Sequence, residues 1–176
     1  MVTTKWAVDP THSEIGFKVK HMMFTNVSGK FQQFEAAIET EGDNFENAKI
    51  SFSGAIDSVT TGNSDRDTHL LSPDFFDAAQ FPTITFTGDT FKKISEGDYE
   101  LSGILGLHGA EKPVTLAVEF GGLAKDPWGN TKAGFTITGK VNRKDWGLNW
   151  NAALETGGVL VSEEVRLNIE LQFVKQ

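Results

Sequence analysis

The chain has 176 residues, a formal net charge of -8 and no cysteine. The length suits one β-barrel or β-sandwich, and we expect residues 1–176 to form a single domain. The acidic balance argues against a nucleic-acid partner, which requires clustered Lys and Arg, and the absence of cysteine excludes disulfides, thiol nucleophiles and thiolate metal ligands.

A two-residue alternation of apolar and polar side chains runs through most of the chain and predicts β-strands. Because a strand with one apolar face must bury that face, the sheet either packs on a second layer or curls around its own interior. The predicted strands, in chain order, cover residues 6–8, 14–21, 27–40, 48–56, 82–86, 99–107, 114–120, 135–141 and 161–173.

The alternation stops after the fourth of these strands, and we predict a short helical insert there, near residues 63–78. Asn63 or Ser64 can cap a helix, and Pro73 fits the first turn of a second short helix. Short turns elsewhere favour antiparallel neighbours. We therefore predict an all-β fold, a single antiparallel lipocalin-like β-barrel of about eight strands that carries this insert.

Three glycines, Gly54, Gly103 and Gly139, fall on predicted inward faces among large apolar residues. One interpretation is that the missing side chains leave a cavity. The other is that they relieve strand bending or admit a neighbouring aromatic ring. An eight-stranded barrel is either packed solid or holds one ligand, and both interpretations stay open.

The sequence predicts no membrane-spanning segment, because no apolar run approaches the roughly 20 residues that cross a bilayer as a helix. Residues 1–10 contain one Lys and no apolar core, which is unlike a signal peptide. We expect a cytoplasmic protein, with the periplasm or secretion as the alternative if an export signal has been removed.

Histidine is the residue type here that most invites a catalytic or metal-binding interpretation. His12 lies next to Ser13, but adjacent strand residues point apart, so we favour a structural role for His12. The spacing of His12, His21, His69 and His108 is not that of a metal-binding helix. We predict no catalytic residue, no metal and no resident cofactor.

Four motifs are spread over the chain in a fixed order: WAVDPTHSEIGF at 6–17, RDTHLLSPDFFD at 66–77, GILGLHG at 103–109 with KPV at 112–114, and NRKDWGL at 142–148. Together they resemble the YceI-like family of lipocalin-like proteins, over essentially residues 6–173. The resemblance implies an extended antiparallel barrel whose apolar pore binds long isoprenoid chains, often in a homodimer.

For this chain the resemblance implies non-catalytic storage or transport of a long-chain isoprenoid lipid, of the isoprenoid quinone or polyprenyl type. Burial of the tail contributes about 0.8 kcal/mol for each methylene-sized group. Ordinary core packing is the alternative for each wall residue. The expected wall residues are Phe17, Val19, Phe31, Phe34, Ile50, Phe52, Phe86, Leu101, Leu105, Phe135 and Ile137.

Residues of the insert are candidates for the barrel mouth. Phe75 and Phe76 are adjacent and point in different directions, so one would cap the mouth while the other anchors the insert. The favoured alternative is that both anchor the insert in the core. Arg66 and His69 share a face if their stretch is helical, and they would then meet a lipid head group.

A second head-group candidate lies in the last motif. Arg143 stands close to Trp146 in the sequence, and we include both in the predicted binding site. A structural salt bridge between Arg143 and Asp145 is the alternative.

Two other functions stay open. An enzyme acting on a hydrophobic, isoprenoid-like substrate would use Arg66, Asp67 and His69 at the mouth. A stress-related protein with a solid barrel would instead bind its partner through an external apolar patch.

Overall fold

The computed structural model describes residues 2–152, 154 and 160–176. They include one α-helix, α1 (Ser64–Leu71), and three short 3-10 helices, Pro10–His12, Ile56–Ser58 and Arg143–Trp146. The strands are β1 (Thr3–Val8), β2 (Glu14–His21), β3 (Thr25–Phe31), β4 (Phe34–Glu41), β5 (Asn44–Ala55), β6 (Val59–Thr60), β7 (Thr83–Ser95), β8 (Asp98–Leu107), β9 (Ala110–Lys125), β10 (Thr131–Asn142) and β11 (Val161–Lys175).

The strand ladder closes on itself. Antiparallel pairs run in the order β1-β4-β5-β7-β8-β9-β10-β11, and β11 returns to β1 through the pair Ala7 and Val174. The earlier part of β11 pairs instead with β2, which pairs in turn with β3. Since β1 and β2 lie along one edge of β11 like a single kinked strand, the result is the predicted eight-stranded antiparallel barrel.

The prediction of one continuous strand over residues 27–40 is wrong, because the structure has two strands there, β3 and β4. The backbone N–H groups of Gln32 and Gln33 leave the ladder and donate to the backbone carbonyl (3.1 Å) and the hydroxyl (3.0 Å) of Ser58. These bonds separate β3 from β4. The inward alternation therefore shifts by one residue between Phe31 and Phe34.

The insert forms one α-helix where two were predicted. The side chain of Asn63, one of the two predicted caps, accepts from the Arg66 N–H (3.0 Å) and caps α1, whose first residue is Ser64. The second helix after Pro73 is wrong, because the N–H of Phe76 reaches back to the Leu70 carbonyl (2.9 Å) in a turn that returns the chain to the barrel. Within the described ranges, no helix has the length and apolar character needed to span a membrane.

The barrel interior has two unlike halves. The half near the chain termini, which we call the floor, is packed solid with Trp6, Phe45, Phe91, Phe120, Phe135 and Phe173. The Phe45 ring lies 5.1 Å from both the Trp6 and Phe120 rings and 5.3 Å from the Phe135 ring. We call the other half, which contains the β2–β3 hairpin and α1, the mouth half.

The three inward glycines make room for neighbouring side chains. A Cβ atom on Gly103 would collide with the Thr87 backbone carbonyl and lie 2.7 Å from the Phe86 ring, and one on Gly139 would collide with Leu116. A Cβ atom on Gly54 would lie 3.2 Å from both Ile84 and the Phe52 ring. The space left by these glycines is therefore taken up by neighbouring atoms.

Candidate functional site

The mouth half encloses a cavity of about 450 Å³. This volume falls within the range of about 300–1,000 Å³ that is typical of small-molecule sites. The exposed Lys20 and His21 are among its lining residues, so the cavity reaches the protein surface. Its apolar and aromatic lining is formed by Phe17, Val19, Val27, Phe31, Leu70, Phe75, Phe76, Ile84, Leu105, Leu107, Val141, Trp146, Leu148, Trp150, Leu160, Val161, Val165 and Leu167.

The structure brings many of the predicted site residues together around this cavity and leaves others in the packed parts of the barrel. Alternation tells which strand face is inward, but not at which height along the barrel a residue lies. The predicted residues that border the cavity are Phe17, Val19, Phe31, Arg66, His69, Phe75, Phe76, Leu105, Arg143 and Trp146. Those placed away from it are Phe34, Ile50, Phe52, Phe86, Leu101, Phe135 and Ile137.

Helix α1 is fixed over the mouth by contacts with Thr61. The Arg66 guanidinium donates from Nε to the Thr61 hydroxyl (2.7 Å) and from Nη2 to the Thr61 carbonyl (2.8 Å). The Asp67 carboxylate accepts from the Thr61 N–H (2.8 Å) and hydroxyl (2.6 Å). These bonds hold α1 against the end of β6, so that its Leu70 faces the cavity.

Three rings border the cavity next to α1. The His69 ring lies 5.0 Å from the Phe75 ring and 5.1 Å from the Trp150 ring, both edge-on, and the latter two are 5.2 Å apart. His69 Nε2 is 2.9 Å from an oxygen of Asp74. His69 is therefore engaged with Asp74, whereas Arg66 and Asp67 are engaged with Thr61.

The two adjacent phenylalanines border the cavity at different places. Phe75 belongs to the ring cluster with His69, whereas Phe76 packs edge-on against Phe31, with 6.1 Å between ring centroids. Phe76 thereby contacts the small second core that includes Ile15 and Ile56.

Arg143 is a buried cation that borders the cavity, with 4 % of its surface exposed. Its guanidinium donates to the backbone carbonyls of Ser162 (2.9 Å), Leu148 (2.6 Å) and Val161 (3.4 Å). Burial lowers the pKa of Arg143 from its ordinary value, and the Glu163 carboxylate opposes this effect. Within the described residues these carbonyls occupy three of the five guanidinium N–H groups.

Trp146 fixes the 3-10 helix that begins at Arg143. Its indole Nε1 donates to the Leu105 carbonyl (2.9 Å), and its own carbonyl lies 2.9 Å from His108 Nδ1. Trp146 is 3 % exposed, so this bond satisfies a buried donor. The contacts of Trp146 fix one end of the short helix, and the hydrogen bonds of Arg143 fix the other end at the cavity wall.

His12 and Ser13 have different partners, although His12 ends the 3-10 helix Pro10–His12 and does not lie in a strand as expected. His12 Nδ1 lies 2.9 Å from an Asp9 oxygen, whereas the Ser13 hydroxyl accepts from the Gln172 N–H (2.9 Å). In the part of the chain that the structure describes, no group of three or more His, Asp or Glu side chains is placed to hold a metal ion.

Several cavity residues were missed from the sequence. Leu148, Trp150 and Leu160 lie between β10 and β11, where the two-residue alternation has stopped. Leu148 is the last residue of the NRKDWGL motif at 142–148 and Trp150 follows it closely, whereas Leu160 carries no such sequence signal. Val165 and Leu167 do follow the apolar-polar alternation of their strand, but the sequence does not show at which height along the barrel they lie.

Comparison with known proteins decides the family. Residues 6–173 match the family described as the YceI-like domain. The chain belongs to the YceI-like family. This YceI-like protein is 37% identical over 171 residues to a UPF0312 protein of Staphylococcus aureus strain MSSA476, and the match covers 97% of each chain.

Solved structures of similar fold include other YceI-like proteins. The YceI protein of Campylobacter jejuni superposes with a TM-score of 0.78 at 33% identity, covering 89% of this YceI-like chain and 90% of that one. A polyisoprenoid-binding domain of Saccharophagus degradans, implicated in plant cell wall breakdown, superposes with a TM-score of 0.70, covering 97% and 98%. At 16% identity, the second similarity shows the fold alone.

Proposed function

We propose that this YceI-like protein binds a long-chain isoprenoid lipid, of the isoprenoid quinone or polyprenyl type, for storage or transport and without catalysing a reaction. The observation that carries the proposal is the apolar cavity of about 450 Å³ in a barrel whose other half is solid. A protein of the same fold is named for polyisoprenoid binding, which supports this choice of ligand.

The cavity lining suits a branched hydrocarbon. Burial of each methylene-sized group contributes about 0.8 kcal/mol, so a five-carbon isoprene unit contributes about 4 kcal/mol before ordering costs. A few enclosed units therefore offset an association cost of about 4–15 kcal/mol. Because the floor closes one end of the barrel, we propose that the tail enters from the mouth.

Arg143 is the residue we propose for the polar head. Two of its guanidinium N–H groups are not occupied by carbonyls of the described residues, and the side chain borders the cavity. A quinone carbonyl or a phosphate oxygen can accept from them. We propose that His69 and Arg66, at the rim, lie close to the same head group.

Occupation of the cavity is tested by native mass spectrometry of protein purified without detergent. Leu167 borders the cavity, whereas its neighbour Asn168 is exposed on the outer face of β11. We expect a lipid adduct on the wild type and on Asn168→Trp, and a weaker or shorter-chain adduct on Leu167→Trp, because the larger indole takes up part of the cavity. A wild type that carries no guest and takes up no added isoprenoid quinone would contradict the proposal.

The head-group role is tested by comparing two ligands. A hydrogen bond to a charged group contributes about 1.5–3 kcal/mol, so the protein should bind an isoprenoid quinone at least about tenfold more tightly than squalene, which lacks a head group. Equal affinity for the two would remove Arg143 from the proposed site and leave the tail-binding cavity.

We propose further that the protein is a homodimer, the state implied by its resemblance to the YceI-like family. Sedimentation equilibrium measures the mass directly. A monomer at all concentrations tested would refute this part of the proposal without affecting the cavity.

A further inference from the structure

The β2–β3 hairpin ends in an apolar tip, which we define as Met22, Met23 and Phe24. Their exposed fractions are 40%, 57% and 83%. Met22 and Met23 adopt positive φ angles of 52° and 64°, a region that hairpin turns usually fill with Asn or Gly. The tip therefore combines an unfavourable backbone conformation with apolar side chains in water, two costs that a turn selected only for folding would avoid.

A row of cations crosses the outer face of the barrel below this tip. Lys140 is paired with Arg166, and Arg166 with Lys18, in adjacent strands. All three are exposed, and Lys20 lies one outward position nearer the tip. Arg166 Nε donates to the Glu164 carboxylate (3.3 Å), which partly compensates its charge. Like charges directly opposite each other destabilise a sheet, so Lys18 and Lys140 on either side of Arg166 are an unusual concentration of cations on a chain whose net charge is -8.

We propose that this end of the protein docks onto an anionic lipid bilayer. The apolar tip enters the boundary between head groups and acyl chains, and the basic row contacts the lipid phosphates. Lys20 and His21, next to the tip, also border the cavity. Docking would bring the cavity to the membrane in which isoprenoid lipids dissolve. This purpose rests on the proposed function.

A bilayer fits these residues better than a second copy of the chain. In a two-fold symmetric dimer the same patch meets itself, so basic rows centred on Arg166 would face each other. Three apolar side chains also provide much less than the about 800 Å² per partner of a stable protein interface. A few apolar side chains with adjacent cations are sufficient for reversible membrane binding.

Co-sedimentation with vesicles free of isoprenoids tests the docking. Phe24→Ser should weaken binding to phosphatidylglycerol vesicles about tenfold, because the aromatic side chain no longer leaves water. Trp128→Ser is the matched control, since Trp128 is also 83% exposed but lies in the β9–β10 turn at the floor end. The control should bind like the wild type.

The basic row is tested by the double variant Lys18→Gln with Lys140→Gln. Binding to phosphatidylglycerol vesicles should fall at least about tenfold, and added salt should weaken wild-type binding in the same way. Neutralising two exposed lysines at the floor end, Lys92 and Lys125, should leave binding unchanged. Equal effects of the two double variants would refute a localised contact.

Other outcomes separate this inference from the proposed function. If the wild type and Phe24→Ser bound vesicles equally well, the docking proposal would be overturned. A loss of dimer mass in Phe24→Ser without vesicles would also overturn it, since this result would assign the tip to a second copy. Because the vesicles lack isoprenoids, a protein that takes up quinone but ignores vesicles refutes only the docking, and the reverse result refutes only the lipid-binding proposal.

Discussion

Asp9 holds the kink between β1 and β2 through charge-assisted hydrogen bonds. One carboxylate oxygen accepts from the Thr11 hydroxyl (2.7 Å) and N–H (3.1 Å), and the other lies 2.9 Å from His12 Nδ1 and accepts from Lys132 Nζ (3.0 Å). The bonds from Thr11, followed by those from His12 and Lys132, hold the pKa of Asp9 well below its usual range. The charged form of Asp9 therefore stabilises the folded barrel.

Replacing Asp9 with Asn should lower the free energy of unfolding at pH 7 by about 1.5–3 kcal/mol, as expected for hydrogen bonds to a charged group. A carboxyl with a depressed folded pKa stabilises above its unfolded pKa of about 3.9 and loses this effect as pH falls further. The difference from the wild type should thus shrink below about pH 4. Urea unfolding between pH 7 and pH 3 measures it, with the exposed Asp89→Asn as control. A difference that is constant over this range would contradict the assignment.

Gly29 leaves space for the ring of Phe17, which borders the cavity. A Cβ atom on Gly29 would collide with that ring. Gly29→Ala should therefore cost about 1–3 kcal/mol and weaken quinone binding by displacing the ring. Gly134→Ala is the control, because no atom lies within 4 Å of its built Cβ. Calorimetric titration with a quinone measures the affinity of each variant. Equal affinities of the two variants would contradict the prediction.

At the scale of elements, α1 is a part of the cavity wall that belongs to no strand ladder. Its described residues are all exposed or half-buried, and it is held by its cap and by Thr61. Segments with few buried contacts open at low free energy. We therefore expect guest entry and release to involve α1.

Asn63→Ala removes the cap of α1 and should destabilise the helix by about 1 kcal/mol. Amide exchange in α1 and the rate of quinone release should both rise about fivefold, because both report opening of the same helix. Thr68→Ser is the control, because Thr68 is exposed and serine keeps the hydroxyl that donates to the Ser64 carbonyl (2.9 Å). Faster exchange without faster release would show that the guest leaves by another path.

The elements show how far the sequence was informative. Alternation identified the strands, and Asn63 identified the helix start, because both signals are local. The break at Gln32 and Gln33 depends on Ser58, which is distant in the sequence. Placement of Phe135 in the floor and of Phe17 at the cavity follows from strand stagger in the closed barrel, which a single sequence does not show.

The whole molecule depends on closure between strands that are far apart in the chain. β1 contributes three residue pairs to β11, the last at Val8 and Phe173, whereas β10 pairs with β11 from Lys132 to Asn142. Closing a long loop also costs more entropy than closing a hairpin. The β1–β11 seam should therefore open first.

Native-state hydrogen exchange tests this order. Amides in the β1–β11 seam should exchange with a lower opening free energy than those in the β10–β11 ladder, whose amides should exchange only through global unfolding. Equal protection in the two ladders would show that the barrel opens only as one unit.

A crystal structure of the protein as isolated, without added detergent, shows whether a lipid occupies the barrel. We expect elongated density in the mouth half, between α1 and β11, that stops above Phe45 and places its polar end beside Arg143. A cavity filled by the protein's own side chains, with no density after soaking in an isoprenoid quinone, would contradict this expectation.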